Sequence, residues 1–330
     1  MDVFGMRRAV VEDYQAYVKS FLTIADDRIR KLVDSKLLAE GRVCPDALVQ
    51  LNPGFERGAT VEGLVAEGVL HPDCSRIFRD GQGQSLRLYR HQEQAIRMAC
   101  EGRNLVLTSG TGSGKSMAYI IPVVDHILKS PSAARTVRAM LVYPMNALIN
   151  SQEQAIQAFL GNLGPSDHQV IAAKYTGQES PESKRQLQAN PPHIILTNYV
   201  MLELMLTRPG EERFVEQGQA ELDFLVLDEL HTYRGRQGGD VALLVRRLRE
   251  RCGNPRLRCI GTSATMATGD TGLARREAVA RYAGTLFGVP MSRDSVVEEV
   301  LRPLFPDAPA AEGEALREAV LGPLPAANWE

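Results

Sequence analysis

At 330 residues the chain is long enough to bury a substantial core, and its 44% hydrophobic and 24% charged residues are typical of a globular protein, which excludes fibrous and disordered classes. A formal net charge of −2 gives no overall attraction for nucleic acid, so any such binding must come from local clusters. Five scattered cysteines without a CxxC pair argue against a disulfide framework or a cysteine zinc site, and the lack of a signal peptide or of an apolar run near about 20 residues predicts a cytoplasmic location.

The first 85 residues are predicted to form a mostly helical N-terminal extension. The stretch "VVEDYQAYVKSFLTIADDRIRKLVDSKLLAE" carries apolar residues at i, i+3 and i+4 spacings with charges between them. The later stretch "RDGQGQS" is rich in turn-forming residues and is interpreted as a linker. We therefore expect a domain boundary near Leu86.

Short apolar runs alternate with helical patterns from residue 86 to about 300. Six runs are typical of strands that are buried on both faces: "NLVLTS", "AMLVYP", "VIAAKYT", "HIILTN", "DFLVLDE" and "RCIGTSAT". Helical patterns are predicted at Lys115–Lys129, Asn146–Leu160, Tyr199–Leu206, Gly239–Cys252 and 275–288. This alternation predicts an α/β domain of three layers with a mostly parallel sheet. The Ala- and Pro-rich residues 301–330 are interpreted as a linker or the truncated start of a following region.

A glycine-rich stretch, "SGTGSGKS", lies between the first apolar run and a helical pattern. In a phosphate-binding loop, backbone N–H groups and the positive end of the next helix hold phosphates, and a lysine reaches the β and γ phosphates. Lys115 supplies that charge, and the hydroxyl of Ser116 can ligate Mg²⁺. The strict motif has glycine where this chain has Ser109, which is still small. The sequence predicts a site for ATP and Mg²⁺ made of Gly110, Thr111, Gly112, Ser113, Gly114, Lys115 and Ser116.

An acidic pair ends the apolar run "FLVLDELH". The carboxyl ends of parallel strands meet at one edge of a sheet, so Asp228 and Glu229 are expected to face the same crevice as the phosphate loop. Asp228 is predicted to hold Mg²⁺, mostly through water, and Glu229 to orient or deprotonate the water that attacks the γ-phosphate.

These motifs, in this order, resemble the DEAD/DEAH-box superfamily 2 helicases, and "DELH" is similar to their DExH branch. The resemblance covers residues 86–300 and implies a first RecA-like motor domain. "LYRHQ" looks like the Q motif, which implies that the Gln92 amide pairs with adenine and that Tyr89 packs beside the base. "YPMNALINSQ" looks like motif Ia, "LTNYVML" like a later strand-contacting motif and "TSAT" like motif III. More finely, the chain resembles large bacterial helicases that have a cysteine-rich C-terminal module and occur in DNA repair and phage defence.

Two groups of residues are expected to contact a nucleic-acid backbone. Pro144 and Asn146 stand between a strand and the start of a helix, where N–H groups can bind a phosphate. Thr197, Asn198 and Tyr199 follow another strand, where they either add hydrogen bonds and a stacking face or only end the strand and cap a helix. Backbone contacts predict binding with little sequence preference and a marked salt dependence.

His231 and the residues Ser263, Ala264 and Thr265 are predicted to couple the nucleotide site to the strand site through exchangeable hydrogen bonds. The histidine is also treated as catalytic with Lys115, Asp228 and Glu229; a metal-ligand role is the alternative.

A run of arginines follows the acidic motif and forms either a nucleic-acid face or a solvated helix packed through Val241, Leu244, Val245 and Leu248. We favour a functional role for "YRGRQGG", including Arg234 and Arg236, because a helix has no use for three glycines. The remaining arginines are Arg246, Arg247, Arg249, Arg251, Arg256 and Arg258.

Two hypotheses follow for the function. The first is an ATP-dependent helicase or translocase, with DNA as the expected nucleic acid, represented by its ATP-binding half. The resemblance implies a second RecA-like domain that donates arginine fingers, in cis or in trans, and we expect the chain to be the N-terminal part of a larger protein with little activity by itself. The alternative is a nucleotide-dependent binding or scaffold module that does not hydrolyse ATP without a partner.

Overall fold

The computed structural model describes residues 2–37, 53–110, 112–131, 135–164, 170–216, 221–264 and 272–302. The chain divides into two compact units, Met1–Asn52 and Pro53–Glu330. Thr111, Thr265 and residues 303–330 lie outside the described residues. Across the described ranges, no helix combines the length and apolar character needed to cross a membrane.

The first unit contains two helices, α1 (Val3–Ser20) and α2 (Asp27–Leu37). An aspartate caps the start of each: Oδ1 of Asp2 accepts the N–H of Gly5 at 2.8 Å, and Oδ1 of Asp26 accepts the N–H of Arg28 at 2.7 Å. The predicted helical character of the N-terminal extension is confirmed for these residues.

The second unit is built on a sheet. Its described strands are β1 (Arg57–Thr60), β2 (Arg87–Tyr89), β3 (Leu105–Thr108), β4 (Ala139–Tyr143), β5 (Ala172–Lys174), β6 (Ile194–Asn198), β7 (Phe224–Leu227), β8 (Arg258–Ser263) and β9 (Val296–Glu298). Seven of them form a parallel sheet in the order β5-β6-β4-β7-β8-β3-β9, while β1 and β2 form a separate antiparallel pair. The six apolar runs correspond to β3 to β8, so the predicted parallel sheet is confirmed.

Helices cover both faces of this sheet. The described helices of this unit are α3 (Val61–Ala66), α4 (Cys74–Ile77), α5 (Arg90–Cys100), α6 (Met117–Lys129), α7 (Asn146–Gly161), α8 (Pro181–Ala189), α9 (Tyr199–Thr207), α10 (Arg213–Glu216), α11 (Gly235–Cys252) and α12 (Gly272–Phe287). Alternate side chains of one strand enter different cores: Leu105 and Leu107 pack with residues of α5, α6 and α7, whereas Val106 packs with residues of α9, α11 and α12. The three-layer architecture is therefore as predicted.

Residues 53–85 pack with the sheet, which differs from the expected boundary near Leu86. Leu64 and Ile77 are fully buried in the core that contains α5 and α6. The buried carboxylate of Asp125, in α6, accepts the backbone N–H of His71 at 2.6 Å. The turn residues that suggested a linker instead form a tight turn, closed by a bridge between Arg79 and Ser85. A tight turn and a linker use the same residue types, which explains the difference.

Helix α11 begins earlier than predicted. It starts at Gly235 and therefore includes all three glycines of "YRGRQGG". A Cβ atom on Gly238 would lie 2.6 Å from the backbone oxygen of Tyr233, so the first turn of the helix requires a glycine at that position. The argument that a helix has no use for these glycines was wrong for Gly238, because the preceding chain packs against the helix there.

Candidate nucleotide and nucleic-acid site

The phosphate loop joins β3 to α6 at the carboxyl edge of the sheet. Gly112 and Gly114 have φ values of +79° and +66°, the left-handed region that favours glycine. A Cβ atom on Gly114 would lie 2.6 Å from Nε2 of Gln92, so that side chain approaches the loop backbone closely. Ser109, which replaces the glycine of the strict motif, is buried with its hydroxyl 2.5 Å from that of Ser113. The hydrogen bond between these two hydroxyls links the start of the loop to a residue four positions further on.

Lys115 is folded back onto its own loop. Its Nζ donates to the backbone oxygen of Ser109 at 3.1 Å and to that of Gly110 at 3.3 Å. Both acceptors are neutral carbonyls, so phosphate oxygens offer the ammonium group stronger partners. The lysine is thus placed at the loop without being committed to a carboxylate.

The side chain of Gln92 holds the far end of the loop. Its Nε2 donates to the backbone oxygens of Ser113 at 3.1 Å and Gly114 at 2.8 Å, and its Oε1 accepts the N–H of Tyr89 at 2.8 Å. Both amide hydrogens are therefore used by the loop, and reading of adenine by Gln92 stays a prediction that requires an exchange of these bonds. Burial lowers the pKa of the neighbouring His91, whose Nε2 lies 3.3 Å from the Ser113 oxygen.

Tyr89 packs against two rings rather than standing alone. Its ring centroid lies 5.1 Å from that of Phe55 and 5.7 Å from that of His91, while the guanidinium of Arg57 lies 5.1 Å from the Tyr89 centroid. An aromatic and cationic cluster therefore adjoins the loop. Phe55 and Arg57 lie far upstream of the motifs, and nothing in their local sequence pattern pointed to this position.

The acidic pair follows β7 at the same edge of the sheet. Asp228 is buried and accepts a hydrogen bond from the hydroxyl of Thr262 in β8. Burial raises the pKa of Asp228 from 3.8 to about 6, and Glu229 adds to the rise, whereas the Thr262 hydroxyl and Lys115 oppose it. Sequence reasoning placed Thr262 in the "TSAT" stretch but did not predict these contacts with the acidic pair.

Glu229 has a strained backbone. Its φ of 53° and ψ of 54° are left-handed, and among the described residues it is the one non-glycine with a positive φ. Its N–H donates to the hydroxyl of Thr262 at 3.2 Å, which helps to hold this conformation. Strain of this kind is often found where a side chain must be aimed at a functional site.

The residues predicted to hold Mg²⁺ are chemically suited to it. Ser116 and Asp228 offer oxygen ligands, which Mg²⁺ prefers, and a small protein donor set suits an ion bound largely by water and phosphate. Asp228 is buried with a raised pKa, and a cation beside it would stabilise the carboxylate form. A Mg²⁺ ion bound there would neutralise charge on the phosphates of a nucleotide.

His231 joins the acidic motif to the end of β8. Its Nδ1 lies 3.3 Å from the hydroxyl of Ser263 and 3.2 Å from Oε2 of Glu229. The predicted contact between the histidine and the "TSAT" stretch is therefore present for Ser263. Ala264 follows it at the strand end, whereas Thr265 lies outside the described residues.

The ends of β4 and β6 are connected by two asparagines. Nδ2 of Asn198 donates to Oδ1 of Asn146 at 2.8 Å, and Oδ1 of Asn198 caps α9 by accepting the N–H of Met201 at 2.9 Å. Thr197 differs from expectation: it is fully buried, and its hydroxyl donates to the Tyr175 oxygen at 2.7 Å. Both faces of β6 are covered, so Thr197 is buried whichever face its side chain is on, and its hydroxyl is used by the Tyr175 oxygen.

The arginines near α11 separate into two groups. Arg234 and Arg236, at its start, are exposed, as is Arg247 further along. Arg246 and Arg249 instead donate to backbone oxygens at the end of α12, and Arg251 pairs with Glu212 at 2.6 Å. The apolar residues of α11 are buried, as the packed-helix alternative expects: Val241, Leu244, Val245 and Leu248. Much of the basic run therefore has a structural role, and its first two arginines are available to a ligand.

Comparison with known sequences gives a family match. The sequence profile of the DEAD/DEAH box helicase family matches residues 89–271, more than half of the chain. Druantia protein DruE of Escherichia coli is 24% identical over 80% of this chain and 20% of its own length. The ATP-dependent helicase HRQ1 of Saccharomyces cerevisiae is 32% identical over 54% of this chain and 16% of its own length. The chain spans about a fifth of the length of these curated relatives.

Solved structures give the same picture. The DUF1998 helicase MrfA bound to DNA matches with a TM-score of 0.60 and 26% identity, over 75% of this chain and 31% of that one. The DEAD-box helicase Mss116 bound to ssRNA and UDP-BeF matches with a TM-score of 0.57 over 74% of this chain and 46% of its own, and at 17% identity it supports the fold alone.

Proposed function

We propose, because this chain belongs to the DEAD/DEAH box helicase family, that it is the ATP-binding half of an ATP-dependent helicase or translocase that moves along nucleic acid. DNA is the expected substrate, which is supported by the likeness to a helicase solved with DNA. A second RecA-like domain, in cis or in trans, would complete the nucleotide site. The biological setting, DNA repair or phage defence, stays a prediction.

One observation carries the proposal: the phosphate loop and the acidic pair meet at one sheet edge, joined through β8. Ser109, at the start of the loop, donates its N–H to the backbone oxygen of Ser263 at 3.1 Å, and Thr262 bonds both Asp228 and the N–H of Glu229. In this arrangement Lys115 would bind the β and γ phosphates, and Asp228 with Ser116 would hold Mg²⁺. Glu229 would orient the attacking water or accept its proton.

The proposed contacts with a nucleic-acid strand do not depend on its base sequence. The N-terminus of α7, beside Pro144 and Asn146, offers N–H groups to a phosphate, and Arg234 and Arg236 add positive charge. Asn198 supports Asn146 through the hydrogen bond between their side chains. These groups recognise a backbone rather than bases, so we expect little sequence preference.

Phosphate release from Mg-ATP, measured with and without single-stranded DNA, tests this proposal. We expect slow release, because the arginine fingers of a second domain are worth roughly 10³ to 10⁵ in rate. That release should increase with DNA and be lost in Glu229→Gln, which keeps the shape of the side chain without its charge. Tight ATP binding with no release, even with excess DNA, would favour the nucleotide-dependent binding module instead.

A further inference from the structure

Strand β9 brings a second glutamate to the phosphate loop. It pairs in parallel with β3, with Thr108 opposite Glu298, so both strands end side by side. The next residue on one strand begins the loop and the next on the other is Glu299. Oε2 of Glu299 accepts the N–H of Gly110 at 2.7 Å, and the N–H of Glu299 donates to the Thr108 oxygen at 3.2 Å.

The Gly110 residue is thereby held from two sides. A half-buried carboxylate binds its N–H, and Nζ of Lys115 binds its carbonyl oxygen at 3.3 Å. A hydrogen bond from an N–H to a carboxylate is stronger than one between neutral groups. Glu299 therefore fixes the first turn of the loop, while Gln92 fixes the last turn through Ser113 and Gly114.

These two anchors belong to one connected structure. Beyond Glu299, the oxygen of Val300 accepts the N–H of Glu56 at 2.7 Å, and Phe55 forms a bridge with Leu301. The ring of Phe55 packs on Tyr89, whose N–H is bound by Gln92. The loop is thus held by hydrogen bonds at both ends, and the segments that supply these bonds contact each other.

We propose that Glu299 is a positioning residue of the nucleotide site, which holds the first turn of the phosphate loop in the conformation that receives phosphates. This inference rests on the proposed function. It predicts that loss of the Glu299 acceptor weakens the binding of ligands that carry phosphates. Binding of the nucleoside should not change, because the base and ribose do not depend on the first turn of the loop.

Two substitutions separate positioning from simple repulsion between Glu299 and the phosphates. Glu299→Gln keeps a hydrogen-bond acceptor for the Gly110 N–H, whereas Glu299→Ala removes it. Glu298→Ala is the matched control, because Glu298 is the adjacent residue but binds Nε of Arg276 at 2.6 Å. Thermal unfolding of each variant establishes that it is folded before binding is measured.

The experiment is a titration of the chain with a fluorescent ATP analogue, with ADP and adenosine as competitors. We expect Glu299→Ala to weaken ATP and ADP binding about tenfold and adenosine binding not at all, while Glu299→Gln stays within about threefold of the wild type. Unchanged or tighter ATP binding in Glu299→Ala would overturn the proposal, as would an equal loss for adenosine. If the wild type binds no ATP analogue, or if Lys115→Ala binds it equally well, the proposed function fails instead.

Discussion

Nδ1 of His231 lies 3.3 Å from the hydroxyl of Ser263, and the same nitrogen lies 3.2 Å from Oε2 of Glu229. One imidazole therefore contacts both the acidic motif after β7 and the end of β8. A change in the charge beside Glu229, such as the loss of a γ-phosphate, can alter which of these partners the ring prefers. This contact gives a physical basis for the proposed coupling between the nucleotide site and the nucleic-acid contacts.

Removal of the Ser263 hydroxyl should weaken that coupling. Without DNA, we expect Ser263→Ala to bind an ATP analogue as the wild type does. Single-stranded DNA changes the affinity of the wild type for the analogue, and we expect the size of that change to be about 2- to 30-fold smaller in the variant. The measurement is the affinity for the analogue with and without DNA. Ser35→Ala on α2, in the other compact unit, is the control; an unaltered DNA effect in Ser263→Ala would refute the coupling role.

The exposed arginines of α11 allow a paired test of the proposed nucleic-acid face. Arg236→Gln should weaken binding of single-stranded DNA of any sequence and lower the salt dependence by about one released counterion. Arg247→Gln, also exposed but about three turns further along the helix, should leave both quantities unchanged. Fluorescence anisotropy at several salt concentrations measures them. An equal effect of both substitutions would show that the start of α11 has no special role.

Two adjacent glycines should respond oppositely to alanine. A methyl group at Gly238 would lie 2.6 Å from the Tyr233 oxygen, so Gly238→Ala should lower the free energy of unfolding by about 1–3 kcal/mol. At Gly239 nothing lies within 4 Å of the added atom, so Gly239→Ala should raise the free energy of unfolding by about 0.5–1 kcal/mol. Denaturant unfolding provides both values, and a stable Gly238→Ala would contradict the described packing.

The contribution of His193 to stability should fall on mild acidification. Burial, with Arg135 and Arg138 nearby, lowers the pKa of His193 from 6.5 to about 4, and its Nδ1 accepts the N–H of Ile171 at 3.1 Å. Between those two pKa values the unfolded chain binds a proton that the folded chain does not. The free energy of unfolding should therefore fall by about 1–2 kcal/mol from pH 7 to pH 5 through this group.

The variant His193→Gln isolates that contribution. Glutamine does not titrate, so the difference in unfolding free energy between wild type and variant should change across this pH range. Parallel pH profiles for the two proteins would mean that His193 does not titrate as described.

Sequence patterns predicted the strands and loops that are determined mainly by their own residues. The run "NLVLTS" predicted β3 because valine and leucine are buried on both faces of that strand, and its glycine-rich continuation predicted the phosphate loop. The short strands β1, β2 and β9 were not predicted. In β9, for instance, only three residues pair with β3, and their place beside the loop depends on folding of the whole sheet.

Candidate site residues could be named from the sequence where they fall within one motif, whereas contacts between distant segments were missed. Glu299 and Gly110 are 189 positions apart, and Thr262 and Asp228 are 34 apart, so no local pattern records either contact. Thr197 shows the opposite error: it lies inside a motif, but it is buried because both faces of β6 are covered. Membership of a motif therefore does not predict whether a side chain is exposed to a ligand.

The measurement that tests the central claim most directly is binding of a fluorescent ATP analogue, with Mg²⁺, to the wild type and to Lys115→Ala. The hydrogen bonds of the Lys115 Nζ go to the loop carbonyls of Ser109 and Gly110, so the variant should remain folded, which thermal unfolding would check. We predict saturable binding by the wild type and at least a tenfold loss in the variant, about 1.4 kcal/mol or more. Absence of saturable binding by the wild type, or equal binding by both folded proteins, would contradict the assignment of this loop as the cradle for ATP.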